Sequence, residues 1–324
     1  MDYLSRITGK KVLVTGGLGF VGHNLVKELL KYKCKIILVD DCSNGNELIL
    51  KEHLDDIEFH KFSVTDTEKL YTFLDDVNFV FHLACVQISR SSSAPLYDME
   101  VNAGSTLKIL EYYRKNRSVN LERFIYTSTA SIYGTARSLP INETDPVNIL
   151  SHYAASKYLA ENYVNIYNSM YDIPTVVVRY SNVYGFGQSP NNPYCGVLGK
   201  FVHNVLTDKP LYVFGDGEQT RDYTFITDAV KATILAAVHP RSYGDIFNIG
   251  TSVETSVNKL INIMKQIDPR VKSEALPERD IDNVRRRSVD ISKIHKRLGW
   301  LPEVNIESGI KQTITWYQDF LKTL

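Results

Sequence analysis

From residue 11 to residue 180 the chain alternates short apolar runs with longer segments of helical period, and this alternation restricts its fold more than any other feature. KVLVTG, KIILVD, EFHKF, NFVFHLA, RFIYTS and TVVVRY read as strands. FVGHNLVKELLKY, TEKLYTFL, a stretch from about Ala94 to Arg117 and the segment after Ser151 read as helices. Strand and helix in turn predict an α/β fold, a parallel sheet wound on both faces by helices, because parallel neighbours must be joined by a crossover. After Ser181 the rhythm breaks into SNVYGFGQSPNNPYCG, too long and irregular for a plain connection, and such loops usually carry function. Smaller pieces follow: a helix from about Val197, a strand LYVFG, a helix after Asp228, a strand DIFNIG, and helices near 256–267 and 307–322. They predict a second, smaller lobe, in keeping with 324 residues and 44% hydrophobic content.

Charge and cysteine content exclude several classes. Thirty-seven basic residues balance thirty-seven acidic ones, so no nucleic-acid or membrane partner is expected on electrostatic grounds. Cysteines stand only at positions 34, 42, 85 and 195, with no Cys-x-x-Cys pair, which predicts neither a disulfide framework nor a zinc site. His82, His152 and His203 are dispersed without ligand spacing and read as structural polar groups, so no metal is expected. The N-terminus runs from charge straight into a short apolar strand, and no segment is long and apolar enough to span a bilayer. The expectation is a soluble, cytoplasmic protein.

VTGGLGFVG sets Gly16, Gly17, Gly19 and Gly22 between a strand and a helix. Without side chains there, the backbone turns tightly and approaches a pyrophosphate at the helix N-terminus, where unpaired amides and the helix dipole favour negative charge. The next strand ends in Asp40, eighteen positions beyond Gly22, where a carboxylate accepts hydrogen bonds from a ribose diol. Asp41 and Cys42 follow, with no arginine close by in sequence, so a 2′-phosphate is repelled and NAD is expected over NADP.

SHYAASKYLAEN, residues 151–162, places Tyr153 and Lys157 four apart, on one face of a helix. A free tyrosine has a pKa of about 10. Positive charge from Lys157 and from an oxidised nicotinamide is expected to draw it towards neutrality and make Tyr153 a base. Such a pair occurs by chance in many surface helices, but this one follows the strand RFIYTS in a chain that already carries a dinucleotide turn.

TGGLGFVG, FHLA at 81–84, Asn102, YTSTASIYG, YAASK, RYSNVYG, GDGEQTRDY and VRRRSVDI occur in the order seen in extended short-chain dehydrogenases/reductases. The chain most resembles the nucleotide-sugar 4-epimerases and dehydratases among them, along nearly its whole length. The resemblance implies an NAD-binding Rossmann domain at 1–180 with a returning segment at about 226–250, and a nucleotide-sugar-binding domain at 181–225 and 251–324. It implies Thr129, Tyr153 and Lys157 as catalytic residues. Cofactor contacts are implied at Gly16, Gly19, Phe20, Val21, Gly22, Asp40, Ser43, Asn44, Ser63, Val64, Leu83, Ala84, Asn102, Tyr153, Lys157, Tyr180 and Val183. Substrate contacts are implied at Thr129, Asn182, Val197, Arg221, Arg285 and Arg287, with Arg221 and Arg285 forking onto the diphosphate. A homodimer through a four-helix bundle, from the helices near 94–117 and 151–171, is also implied.

Departures from the family pattern narrow the reaction. Dehydratases place Asp and Glu directly after the catalytic threonine, and decarboxylases keep the Glu; this chain has Ala130 and Ser131. The resemblance then implies C4 epimerisation of a nucleoside diphosphate sugar: Tyr153 takes the O4 proton as hydride leaves C4, a 4-keto sugar turns over, and hydride returns to its other face. Ser63 stands where the family reads adenine with an aspartate, and Arg287 stands at the gate beside the sugar 2-substituent. A long cation there obstructs an acetamido group or pairs with a uronate, unless it turns to solvent. The expected order is UDP-glucose/UDP-galactose, then a UDP-uronate, then an N-acetylhexosamine. The alternatives are a dehydratase or oxidoreductase making a keto sugar, and a non-catalytic dinucleotide-binding regulator.

Overall fold

The computed structural model describes residues 3–116, 120–188, 196–278 and 284–322. Arg117, where the first long helix was expected to end, Cys195, and residues 189–195 of the Gly, Pro and Asn-rich loop lie outside the described residues.

Strands β1 (Lys11–Thr15), β2 (Lys35–Asp40), β3 (Ile57–Lys61), β4 (Phe79–His82), β5 (Arg123–Thr129) and β6 (Thr175–Tyr180) follow the expected apolar runs. Helices α1 (Phe20–Lys31), α2 (Thr67–Tyr71), α3 (Ile88–Ser93), α4 (Pro95–Met99), α5 (Ser105–Lys115) and α6 (His152–Tyr171) lie between them. Then come β7 (Asn182–Tyr184), α7 (Val197–Leu206), β8 (Leu211–Phe214), β9 (Thr220–Phe225), α8 (Ile226–Val238) and β10 (Asp245–Ile249). The described chain closes with β11 (Glu254–Ser256), α9 (Val257–Ile267), β12 (Ser273–Leu276), α10 (Ser292–Leu298) and α11 (Ile306–Lys322).

Seven strands form one parallel sheet in the order β10-β6-β5-β4-β1-β2-β3. Alternate residues of each strand feed opposite cores: Val12, Val14, Ile36 and Leu38 pack on one face, Leu13, Ile37 and Val39 on the other. Burial on both faces is why these runs are continuously apolar rather than alternating. The fold is a doubly wound α/β sheet of Rossmann type. Two small sheets, β11-β9-β7 and β12-β8, lie outside it. Strands β7, β11 and β12 are three or four residues long, too short to show a period, and were not foreseen; neither were β9 and α10.

The helix expected over 94–117 is not one regular element. Pro95 opens α4, and a π turn at Glu100–Gly104 joins it to α5. Asn102 causes the widening: its side chain is drawn inward to accept from the Val86 amide at 2.7 Å and to donate to Asp98 at 2.7 Å and Ser156 at 3.0 Å.

Candidate active site

The C-terminal ends of the parallel strands converge on one edge, with the strand order reversing around β1, where open α/β sheets bind ligands. The turn after β1 needs its glycines. Gly16 has φ +70°, and a Cβ there would lie 2.6 Å from the Ala84 amide nitrogen; a Cβ at Gly22 would lie 2.1 Å from the Gly16 carbonyl oxygen. The turn therefore seats α1 against the β4 end with bare backbone, and Gly19 caps α1 with no side-chain acceptor on its first-turn amides. That cradle fits a dinucleotide pyrophosphate.

Asp40 is buried, and each of its oxygens is already engaged: the Leu18 amide donates to Oδ2 at 2.9 Å and the Cys42 amide to Oδ1 at 2.8 Å. Burial pushes its carboxyl up, against those two hydrogen bonds. A carboxylate oxygen has a second lone pair, so the position still suits a ribose diol. Asp40 lines a cleft of about 270 Å³ together with Gly16, Gly19, Phe20, Val21, Gly22, Ser43, Asn44, Ser63, Val64, Leu83, Ala84, Tyr153, Lys157 and Tyr180. Two expected cofactor residues stand elsewhere. Asn102 lies behind the cleft, its amide consumed in holding the 86–88 segment, and Val183 faces the neighbouring cavity. Arg90 was not foreseen. It is far from Asp40 in sequence, yet α3 brings it into the cleft, its guanidinium 4.9 Å from the centre of the Tyr97 ring.

The neighbouring cavity, of about 1200 Å³, is lined by all six residues expected to touch substrate: Thr129, Asn182, Val197, Arg221, Arg285 and Arg287. Arg221 donates to the Thr220 and Val284 carbonyls at 2.8 and 2.7 Å. Arg285 forks onto Asp216 at 2.7 and 2.6 Å, which holds the Asp216 carboxyl down at about 2. Arg287 is not turned to solvent; it is only 5% exposed. Lys200, His203 and Tyr212 also line this cavity and were missed as site residues, because helix and strand period says nothing of which face meets a ligand.

Gln87, Tyr153 and Tyr180 line both cavities and so mark their junction. Ser151 caps α6 by accepting from the Ala154 amide at 3.1 Å, which starts the helix one residue before Tyr153. The exposed His152 does not disturb that start. Thr129, at the end of β5, brings its hydroxyl to the Tyr153 phenol. Lys157 is buried one turn on, its Nζ 4.3 Å from the centre of the Tyr126 ring.

Burial drives the Tyr153 phenol well above its ordinary value; Cys85 and Asp98 add to the rise, and only the Thr129 hydrogen bond opposes it. Lys157 is itself pushed down by burial, against the negative charge of Cys85, Asp98 and Glu161. The pair four apart on one face does not by itself make a low-pKa tyrosine.

His82 is fully buried between Thr15 Oγ1 at 2.7 Å and Ser105 Oγ at 3.1 Å, and burial holds its pKa down at about 3. Among the described residues no cluster of His, Cys, Asp and Glu is arranged to hold a metal, and no helix is long and apolar enough to cross a membrane.

Residues 12–250 match the model of the NAD dependent epimerase/dehydratase family. A putative UDP-glucose 4-epimerase of Methanocaldococcus jannaschii is 35% identical over 96% of this chain and 100% of its own length. The dTDP-D-glucose 4,6-dehydratase of Homo sapiens is 32% identical over 96% of this chain and 90% of its own. Among solved structures, the UDP-glucose 4-epimerase of Thermotoga maritima with UDP-glucose superposes with a TM-score of 0.89 at 32% identity, covering 96% of this chain and 99% of that one. A dinucleotide cradle, a second cavity meeting it at Tyr153, and this likeness along nearly the whole length lead to one conclusion: the chain belongs to the NAD-dependent epimerase/dehydratase family, within the extended short-chain dehydrogenases/reductases, as a nucleoside-diphosphate-sugar enzyme whose cofactor is NAD.

Proposed function

We propose that this enzyme inverts C4 of a nucleoside diphosphate sugar, with UDP-glucose/UDP-galactose as the first substrate pair and a UDP-uronate as the second. The observation that carries this reading is the position of Tyr153, which lines both cavities beside Thr129 while the two residues after that threonine, Ala130 and Ser131, carry no carboxylate. Expelling a hydroxyl requires an acid and a base at the sugar. Ala130 and Ser131 both line the large cavity, so the positions that supply those groups in dehydratases are filled by a methyl group and a hydroxyl.

NAD, when bound, supplies a hydride acceptor and a positive charge within the cleft. The residues to hold it are the glycine turn, Asp40 and Lys157. Tyr153 accepts the O4 proton, and Thr129, already bonded to the phenol, hydrogen-bonds the same sugar oxygen. Because burial raises the phenol, its role as base depends on positive charge being present when substrate is bound. Arg221 and Arg285 hold the diphosphate while the ring turns over, Arg285 exchanging Asp216 for phosphate oxygens.

In this reading residues 1–180 with about 226–250 serve the cofactor, and 181–225 with 251–324 serve the sugar nucleotide. Two copies pair through α5 and α6. The test is incubation with UDP-, dTDP-, GDP- and CDP-sugars, with products followed by mass and proton NMR. An isobaric C4 epimer is expected; a product lighter by one water or by two hydrogens overturns the reading in favour of a dehydratase or an oxidoreductase.

A further inference from the structure

The sugar-facing segment that follows β6 is anchored at Phe186 and Gly187, and the anchor is α1, the helix that carries the glycine turn. Asn24 Nδ2 donates to the Phe186 carbonyl at 2.9 Å and to the Phe20 carbonyl at 2.9 Å. His23 Nδ1 lies 2.9 Å from the Gly19 carbonyl, so that nitrogen carries the proton, and Nε2 accepts from Asn24 at 2.9 Å. Gly187, at φ +75°, closes the junction from the other side: a Cβ there would lie 2.3 Å from His23 Nε2.

One pair of side chains thus touches both binding regions through backbone. Gly19 and Phe20 line the cofactor cleft, whereas Asn182, Val183 and Gln188 line the sugar cavity. Neither His23 nor Asn24 lines either one. The far side of the segment is held by the C-terminal helix, with Phe186 6.2 Å from Trp316 between ring centres and the Tyr317 hydroxyl donating to the Gln188 carbonyl.

We propose that His23 and Asn24 are positioning residues that register the 182–188 segment against the glycine turn, so that the shape of the sugar cavity is set from the cofactor's own helix. This rests on the reading of the large cavity as the sugar-nucleotide site. The chemistry is specific: the junction needs a neutral donor at position 24 facing two carbonyls and a bare backbone at position 187. Asn24→Ala removes the donor without adding bulk, and Gly187→Ala attacks the same junction from the loop side.

Both variants are compared with wild-type holoenzyme for NAD content, for calorimetric affinity towards UDP, dTDP, GDP and CDP, and for kcat and KM. Retained NAD, an affinity for the preferred diphosphate weakened about tenfold, a raised KM with kcat within about threefold, and altered tryptophan emission are the expected results. Unchanged diphosphate affinity overturns the proposal. So does loss of NAD in parallel with the diphosphate, or failure of both variants to fold, since either marks a purely structural junction. Because affinity is read without turnover, an enzyme that proves not to be an epimerase leaves this test intact. A wild type that binds none of the four diphosphates removes the sugar-cavity reading, and the inference with it.

Discussion

Tyr153 combines two properties that oppose each other: it stands where both cavities meet, and burial keeps its phenol protonated. In the proposed reaction such a base is idle until positive charge and a substrate hydroxyl arrive together, which would confine proton abstraction to the filled site. Tyr153→Phe keeps the ring and its packing and removes the oxygen. Turnover is expected to fall by about 10²–10⁴-fold with NAD content unchanged on release and chromatography; activity within tenfold of wild type would show that another group takes the proton. Position 129 was found by counting along the family motif. The inward turn of Asn102 and the arrival of Arg90 in the cleft were not legible, because each depends on where a neighbouring helix comes to rest.

Helix α6 presents three faces with different duties. Its first two turns carry Tyr153 to the junction and Lys157 to the cofactor cleft, and its middle is locked by a buried pair in which Glu161 accepts both a 3.1 Å bond from Arg179 Nε and a second from Nη2. Arg179 also donates to the Tyr133 hydroxyl at 2.6 Å and the Glu143 carbonyl at 3.0 Å, so strand β6, helix α6 and the turn after β5 are fixed in mutual register. Breaking such a pair on one side leaves an uncompensated buried charge, which holds α6 in place. The third face is apolar and exposed: Leu159 is 41%, Ile166 42% and Met170 66% exposed, and α4, which packs against α6, exposes Leu96 and Met99. A stripe at this spacing is the surface through which the proposed pairing of two copies would run. Wild type is expected to sediment at twice the monomer mass, and the double variant Ile166→Glu with Met170→Glu as a monomer. A wild type that sediments as a monomer would remove the bundle.

At the scale of the whole molecule, two buried neutral histidines tie stability to pH. Burial lowers the pKa from 6.5 to about 4 for His23 and to about 3 for His82. A depressed folded value means that the stability is fully present above 6.5 and is lost as pH falls through the window below it, where the unfolded chain takes up two protons that the folded one refuses. Asp222 acts in the opposite sense: burial raises it to about 6, against its bonds to Thr251, Ser252 and Val289, so below that pH the folded state holds one proton the unfolded chain lacks. For these three groups the net uptake on unfolding is about one proton, a contribution that falls by about 1.4 kcal/mol per pH unit between pH 6.5 and 5.5; the lowered His239 acts with the two histidines, and the raised Asp40, Glu143 and Asp228 act with Asp222. Denaturant midpoints that are flat or rising from pH 7 to pH 5.5 would contradict this. The large parallel sheet was legible in the apolar rhythm, whereas of the strands in the two small sheets only β8 was, since strands as short as β7, β11 and β12 cannot display a period.

Local chemistry decided what could be written along one dimension: where glycine alone permits a turn, which runs bury both faces, which threonine, tyrosine and lysine share a neighbourhood, and which carboxylates are lacking after Thr129. Those properties belong to residues and their near neighbours, so they survive without coordinates. The tertiary structure alone decided that Tyr153 sits at the junction of two cavities, that burial pushes its phenol up, that Arg287 is buried while Arg285 is tied to Asp216, and that α1 holds the 182–188 segment. Each of these depends on desolvation and on contacts between residues up to 162 positions apart, and neither quantity exists until the chain has closed on itself.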